Sequence, residues 1–111
     1  MVDDHPSFRA SARRMHEADG YEVVGEAADG TAAIEAVKRL HPDIVLLDIR
    51  LPDVDGFQVA EQLAANGKPP AIVLTSSRDR SDFDYEIDAG PAQGFIPKSE
   101  LSTEAITLLV G

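Results

Sequence analysis

At 111 residues the chain is long enough to bury one hydrophobic core without disulfide or metal staples. The absence of cysteine excludes a disulfide framework, a thiolate metal site and thiol catalysis. A net charge of −10 at pH 7 opposes direct binding to nucleic acid or an anionic membrane, because both surfaces are normally held by Lys and Arg.

In chain order, the sequence opens MVDDHPSFR, with Asp3 and Asp4 almost at its start. The acidic start lacks the basic region of a signal peptide, and no apolar run approaches the roughly 18 residues of a membrane span, so a cytoplasmic protein is expected. Ser7 or a neighbour is the expected cap of a helix reaching about Asp19, with Phe8, Ala12 and Met15 on one face and Gly20 as its stop. YEVVGEA, residues 21–27, reads as a strand. Asp29 and Gly30 mark a turn, after which Ala33, Ile34, Val37 and Leu40 repeat with helical period up to Pro42.

IVLL (Ile44 to Leu47) and AIVL (Ala71 to Leu74) are uniformly apolar, the pattern of parallel strands covered on both faces. Between them Phe57, Ala60, Leu63 and Ala64 form a helical stripe ended by Asn66 and Gly67. Residues 81–93 alternate acid and apolar like a strand, yet their place in the order asks for a helix, and a short or irregular one ended by Gly90 and Pro91 is expected. GFI (Gly94 to Ile96) is the last strand and Ser102 to Val110 the last helix. Strands alternating with helices give an α/β fold built of right-handed βαβ units, as one domain over residues 1–111.

Each buried strand ends in a polar or reactive residue: Asp48 after IVLL, Thr75 after AIVL, and Lys98 after GFI and Pro97. In an open parallel sheet, ligands bind beyond the carboxyl ends of the strands, so these three side chains should share a pocket. A carboxylate nucleophile, further carboxylates for a hard divalent cation, and a hydroxyl and an ammonium to receive phosphoryl oxygens suit phosphoryl transfer, with Asp48 as nucleophile. The loop LPDVDG then carries Asp53 and Asp55 toward solvent, its turn set by Pro52 and Gly56. As a calcium loop, LPDVDGFQVAEQ would need ligands at Leu51 and Gln62, and PKS lacks the glycines of a phosphate-binding loop. His5, His16 and His41 show no metal-ligand spacing and read as surface or packing residues.

VDDHPSFR, PDIVLLDIRLPDVDG, IVLTSS and GFIPKSEL, in that order and over nearly the whole chain, resemble the receiver domain of bacterial two-component response regulators. DDHP and GFIPKSEL are most similar to receivers of the NarL/LuxR type. The resemblance implies a flavodoxin-like (CheY-like) doubly wound sheet of strand order 2-1-3-4-5. It implies Asp48 as acceptor of a phosphoryl group from a sensor histidine kinase, and Mg²⁺ held by Asp4, Asp48 and the Arg50 carbonyl with help from Asp3. It further implies Lys98 as partner of a phosphoryl oxygen, Thr75 as the switch hydroxyl, Phe95 as the aromatic that follows the switch, and Gly56 as the loop glycine.

Three departures stand beside the match: an acidic, alternating segment before the last strand, a short last helix, and no DNA-binding domain after it. Regulation of transcription would need an output domain outside this sequence. A non-phosphorylated pseudo-receiver, acting in protein interaction or dimerisation, is the alternative. A Mg²⁺-dependent phosphatase is disfavoured because Arg50 stands two residues after Asp48, where such hydrolases commonly carry a second acid. Because Met1 and Val2 alone precede the acids, the first strand is expected to be largely missing. The chain is then expected to be destabilised, rearranged or oligomeric at that edge, if not an ordinary homodimer.

Overall fold

The computed structural model describes residues 1–65, 67–78 and 80–110. Its elements run α1 (Pro6–Ala18), α2 (Gly30–Leu40), β1 (Ile44–Asp48), α3 (Gly56–Ala64), β2 (Ala71–Ser76), α4 (Asp84–Ala89), β3 (Gly94–Pro97) and α5 (Thr103–Val110), with 3-10 turns at Arg80–Asp82 and Lys98–Glu100. The three strands form a parallel sheet in the order β1-β2-β3, with Leu46 beside Val73 and Leu74 beside Phe95. This is the α/β class that the alternating pattern predicts.

The uniform apolar runs have the expected cause. Val45, Leu47, Ile72 and Leu74 face one cluster with Val37, Val59 and Leu63 from the flanking helices, while Leu46, Val73 and Ile96 face a second cluster with Ile106 of α5. Successive strand residues therefore enter opposite cores. Burying each such Leu or Ile contributes about 1.5–3 kcal/mol, and this places the ends of β1, β2 and β3 in fixed register.

Helix termini follow local chemistry more closely than residue type alone suggests. Asp29 caps α2 by accepting from Ala32 N–H at 2.8 Å, and Asp55 caps α3 by accepting from Gln58 N–H at 2.9 Å. For α1, Ser7 is not the cap: Pro6 occupies the first turn and His5 is the N-cap without a capping side-chain bond, its ring being turned elsewhere. Gly20, at φ 95°, ends that helix as expected. The helix stop expected at Asn66 lies outside the described residues, and α3 is capped at Ala65. In α4, six residues offer one inward position, Ile87, and leave Tyr85 81% exposed, which reconciles alternating sequence with helical backbone.

Residues 21–27 do not form the expected strand. Their exposure alternates as in a strand, but among the described residues they join the sheet at Ala27 alone, through a parallel bridge to Val2, which also bridges Leu47. A parallel strand needs a neighbour along its length, and Val2 supplies one rung. Side chains hold the segment instead: Arg9 and Arg13 of α1 reach Glu26 at 3.1 and 2.7 Å, and Arg13 Nη2 donates to Val23 C=O at 3.3 Å.

Candidate functional site

The carboxyl ends of the strands bring four of the expected residues together. Asp48 ends β1 and pairs with Thr75 in the register of β2, while Lys98 follows β3 directly. Lys98 Nζ lies 2.7 Å from Asp3 Oδ2 and 3.1 Å from Asp48 Oδ2, bridging two carboxylates that are almost wholly buried. Asp3 is held there because the Val2 bridges fix the backbone before it, and Asp3 N–H donates to Ala27 C=O at 3.0 Å. Arg9 Nη1 donates to Asp3 C=O from the next turn of chain.

The electrostatics are those of crowded acids around one cation. For Asp48, burial is the leading influence and raises the carboxyl above its usual range, against the Arg50 N–H at 3.1 Å and Lys98. For Asp3, burial also pushes upward, but hydrogen bonds from Lys98 and from His5 outweigh it and hold the group low. Burial would lower Lys98, and its two carboxylate partners reverse this and raise it. Thr75 Oγ1, 1% exposed as a residue, has no hydrogen-bond partner among the described residues. A buried hydroxyl without a partner loses about 1–3 kcal/mol, so a ligand oxygen reaching it would recover that loss.

Asp4 is more exposed, yet ligand atoms of Asp3, Asp4, His5 and Asp48 all lie within 4.8 Å of one another. Three carboxylates at this spacing form an oxygen-rich cluster of the kind that hard divalent cations prefer. His5 is a surface residue as expected, its side chain 65% exposed, but it also joins the acids, with Nδ1 3.0 Å from both Asp3 Oδ1 and Asp4 Oδ1. Arg50 is exposed and is tied to Asp55 by an antiparallel bridge, and its N–H reaches Asp48 Oδ1. Phe95 lies in a run of rings, with Phe83 at 6.4 Å and Phe57 5.9 Å beyond Phe83.

Two further contributors escaped the sequence. The Phe8 ring carries Lys98 Nζ 4.6 Å from its centroid, a cation–π contact that steadies the ammonium beside the acids. Asp53 is exposed as expected but not idle: it accepts from Gly30 N–H at 2.8 Å, Thr31 N–H at 3.0 Å and Thr31 Oγ1 at 2.9 Å, fastening the loop after β1 to the start of α2. These bonds, led by the Gly30 N–H, lower its pKa to about 2. Helical spacing places Phe8 on an inward face, but no local pattern foretells either partner.

Comparison with known proteins agrees with this geometry. The response regulator receiver domain family matches residues 1–109. "Probable transcriptional regulatory protein NarL" of Mycobacterium tuberculosis is 40% identical over 105 residues, covering 94% of this chain and 49% of that protein. The nitrate/nitrite response regulator protein NarP of Escherichia coli is 40% identical over 111 residues, covering 96% and 51%. The chain thus spans about half the length of these relatives. Among solved structures, the signal receiver domain of NarL from Mycobacterium tuberculosis superposes with a TM-score of 0.86 at 36% identity, covering 99% of this chain and 93% of that one. A LuxR-family two-component response regulator from Aurantimonas gives 0.88 at 31% identity, covering 98% and 81%. With its acids, lysine and hydroxyl gathered at the carboxyl ends of a parallel sheet, the chain belongs to the response regulator receiver domain family, and its relatives are of the NarL and LuxR type.

Proposed function

We propose that Asp48 accepts a phosphoryl group from the phosphohistidine of a sensor histidine kinase. The observation that carries this reading is Lys98 Nζ bridging Asp48 and Asp3, one strand away from the partnerless hydroxyl of Thr75. An ionised Asp48 oxygen attacks phosphorus, an O–P bond forms, and the P–N bond breaks with its electron pair leaving on the imidazole nitrogen. Lys98 favours the ionised carboxylate before transfer and faces a phosphoryl oxygen after it. Asp3, Asp4, Asp48 and the Arg50 carbonyl would hold Mg²⁺, which supplies positive charge against the carboxylates and the transferred group.

The orphan Thr75 hydroxyl then turns onto a phosphoryl oxygen, and Phe95 with its neighbour Phe83 passes the change toward α4. Water later attacks phosphorus and releases phosphate, restoring Asp48, so that the chain acts as a timed switch rather than a turnover enzyme. Its similarity to transcriptional regulators supports a cytoplasmic receiver that controls transcription through an output domain. Incubating the protein with Mg²⁺ and acetyl phosphate and weighing it intact tests the reading. One added phosphoryl group, lost in Asp48→Asn, is expected; a folded protein that gains nothing would be a pseudo-receiver and would overturn the proposal.

A further inference from the structure

We propose that the cleft between α3 and α4 binds a small aromatic amine, its ring lying against Phe57 and Phe83 and its ammonium group turned toward Glu61 and Glu86. A cavity of about 680 Å³ opens there, beside the loop that follows β1. That size falls within the roughly 300–1,000 Å³ of small-molecule sites. Its floor is apolar, made by Ile49, Leu51, Val54, Phe57 and Phe83, and its rim is charged.

The backbone under the cavity is fixed by the sheet. Ile49 N–H donates to Thr75 C=O at 3.0 Å, and Gly56 N–H donates to Ile49 C=O at 2.6 Å. Ile49 is buried, whereas Leu51, Val54, Phe57 and Phe83 are half-buried and keep part of their apolar surface open to the cavity. The Phe57 and Phe83 centroids stand 5.9 Å apart with the rings tilted by 55°. A third ring can therefore lie against the face of one and the edge of the other, the offset and edge-on contacts that aromatic quadrupoles favour.

The rim selects a cation. Three carboxylates, Asp55, Glu61 and Glu86, line the cavity against one guanidinium, that of Arg50, in a chain of net charge −10. Asp55 is engaged as the cap of α3, accepting from Gln58 N–H at 2.9 Å. Glu61 and Glu86, each from its own helix, are exposed and make no ion pair among the described residues. An ammonium group there gains partners that a carboxylate of the same size would be repelled by. Arg50 N–H donates to Asp48 Oδ1 at 3.1 Å, so the wall of the cavity is also the backbone that follows Asp48. The inference rests on the cavity and its charges, and stands whether or not Asp48 accepts a phosphoryl group.

The probe is phenethylamine, titrated into the folded, isotope-labelled protein while backbone amide shifts are read by nuclear magnetic resonance. Saturable shifts are expected at residues 49–61 and 83–86, with a Kd of about 1 mM or below. Phenylpropionate, with the ring and the opposite charge, and butylamine, with the charge and no ring, should each bind at least about tenfold more weakly. Glu61→Gln combined with Glu86→Gln alters two exposed positions and should weaken phenethylamine at least about fivefold while leaving phenylpropionate no weaker. Shifts centred on Asp3 and Asp4, equal binding of phenylpropionate, or unchanged affinity in the double variant overturns the proposal. Shifts at the same residues that grow with protein concentration and need no amine assign the cleft to a second copy of the chain. A lysyl-phenylalanyl-lysine peptide that binds where the free amine does not assigns it to a protein partner, and either result equally overturns the proposal.

Discussion

Gly56 offers the sharpest single test of how the loop is seated against Asp48. Its N–H donates to Ile49 C=O at 2.6 Å, and a Cβ built there would stand 2.8 Å from Ile49 Cα and closer still to the Asp48 carbonyl. Both obstacles are backbone, so neither can rotate aside, and in Gly56→Ala the loop must lift off the end of β1. Overpacking of this kind costs about 1–3 kcal/mol, and the strained hydrogen bond adds about 1 kcal/mol. A loss of about 2–4 kcal/mol lowers the melting temperature of a domain this size by roughly 8–30 °C. Gly67→Ala is the matched control, because a Cβ there meets nothing within 4 Å, and it should change stability by at most about 0.5 kcal/mol. Thermal unfolding followed by circular dichroism measures both. Equal melting temperatures for the two variants would refute the close approach of Gly56 to Asp48 as the reason for glycine.

Two pH dependences follow from buried or bonded groups. Asp53 has a folded pKa near 2 against an ordinary 3.8, so its stabilising contribution is complete above 3.8 and is lost as pH falls through about 2. The stability gap between the protein and Asp53→Ala, from urea unfolding, should therefore close over that window, and a gap constant down to pH 2 would contradict the clamp. His16 is buried against Thr103, with Nδ1 3.2 Å from Oγ1 and Nε2 without a partner among the described residues, and burial lowers its pKa below 6.5. The folded state then binds fewer protons than the unfolded chain, so stability falls as pH drops below 6.5. His16→Gln should flatten that slope, measured by denaturant melts between pH 7.5 and 5; an unchanged slope would exclude His16 as its source.

How legible the protein was depends on which forces act locally. IVLL and AIVL announce themselves because a strand buried on both faces admits no polar residue, and the residues after them are placed by chain direction alone. Chain direction alone therefore brings Asp48, Thr75 and Lys98 to one end of the sheet. Residues 21–27 misled because strand propensity says nothing about the neighbour a strand must pair with, and Val2 provides one rung. Phe8 and Asp53 were undervalued for a related reason: their partners Lys98, and Gly30 with Thr31, become neighbours when the elements that carry them pack on the sheet. His5 differs, since Asp3 and Asp4 precede it directly in sequence and only the local turn aims its ring at them.

The central claim is that the phosphoryl group resides on Asp48 and nowhere else. Reductive trapping with borohydride, after reaction with acetyl phosphate and Mg²⁺, converts an aspartyl phosphate to homoserine, whose position peptide mass spectrometry reads directly. The account predicts homoserine at position 48 and none once Mg²⁺ is removed by chelation. Homoserine at Asp3, Asp4 or Asp53, or trapping that persists without Mg²⁺, would contradict it.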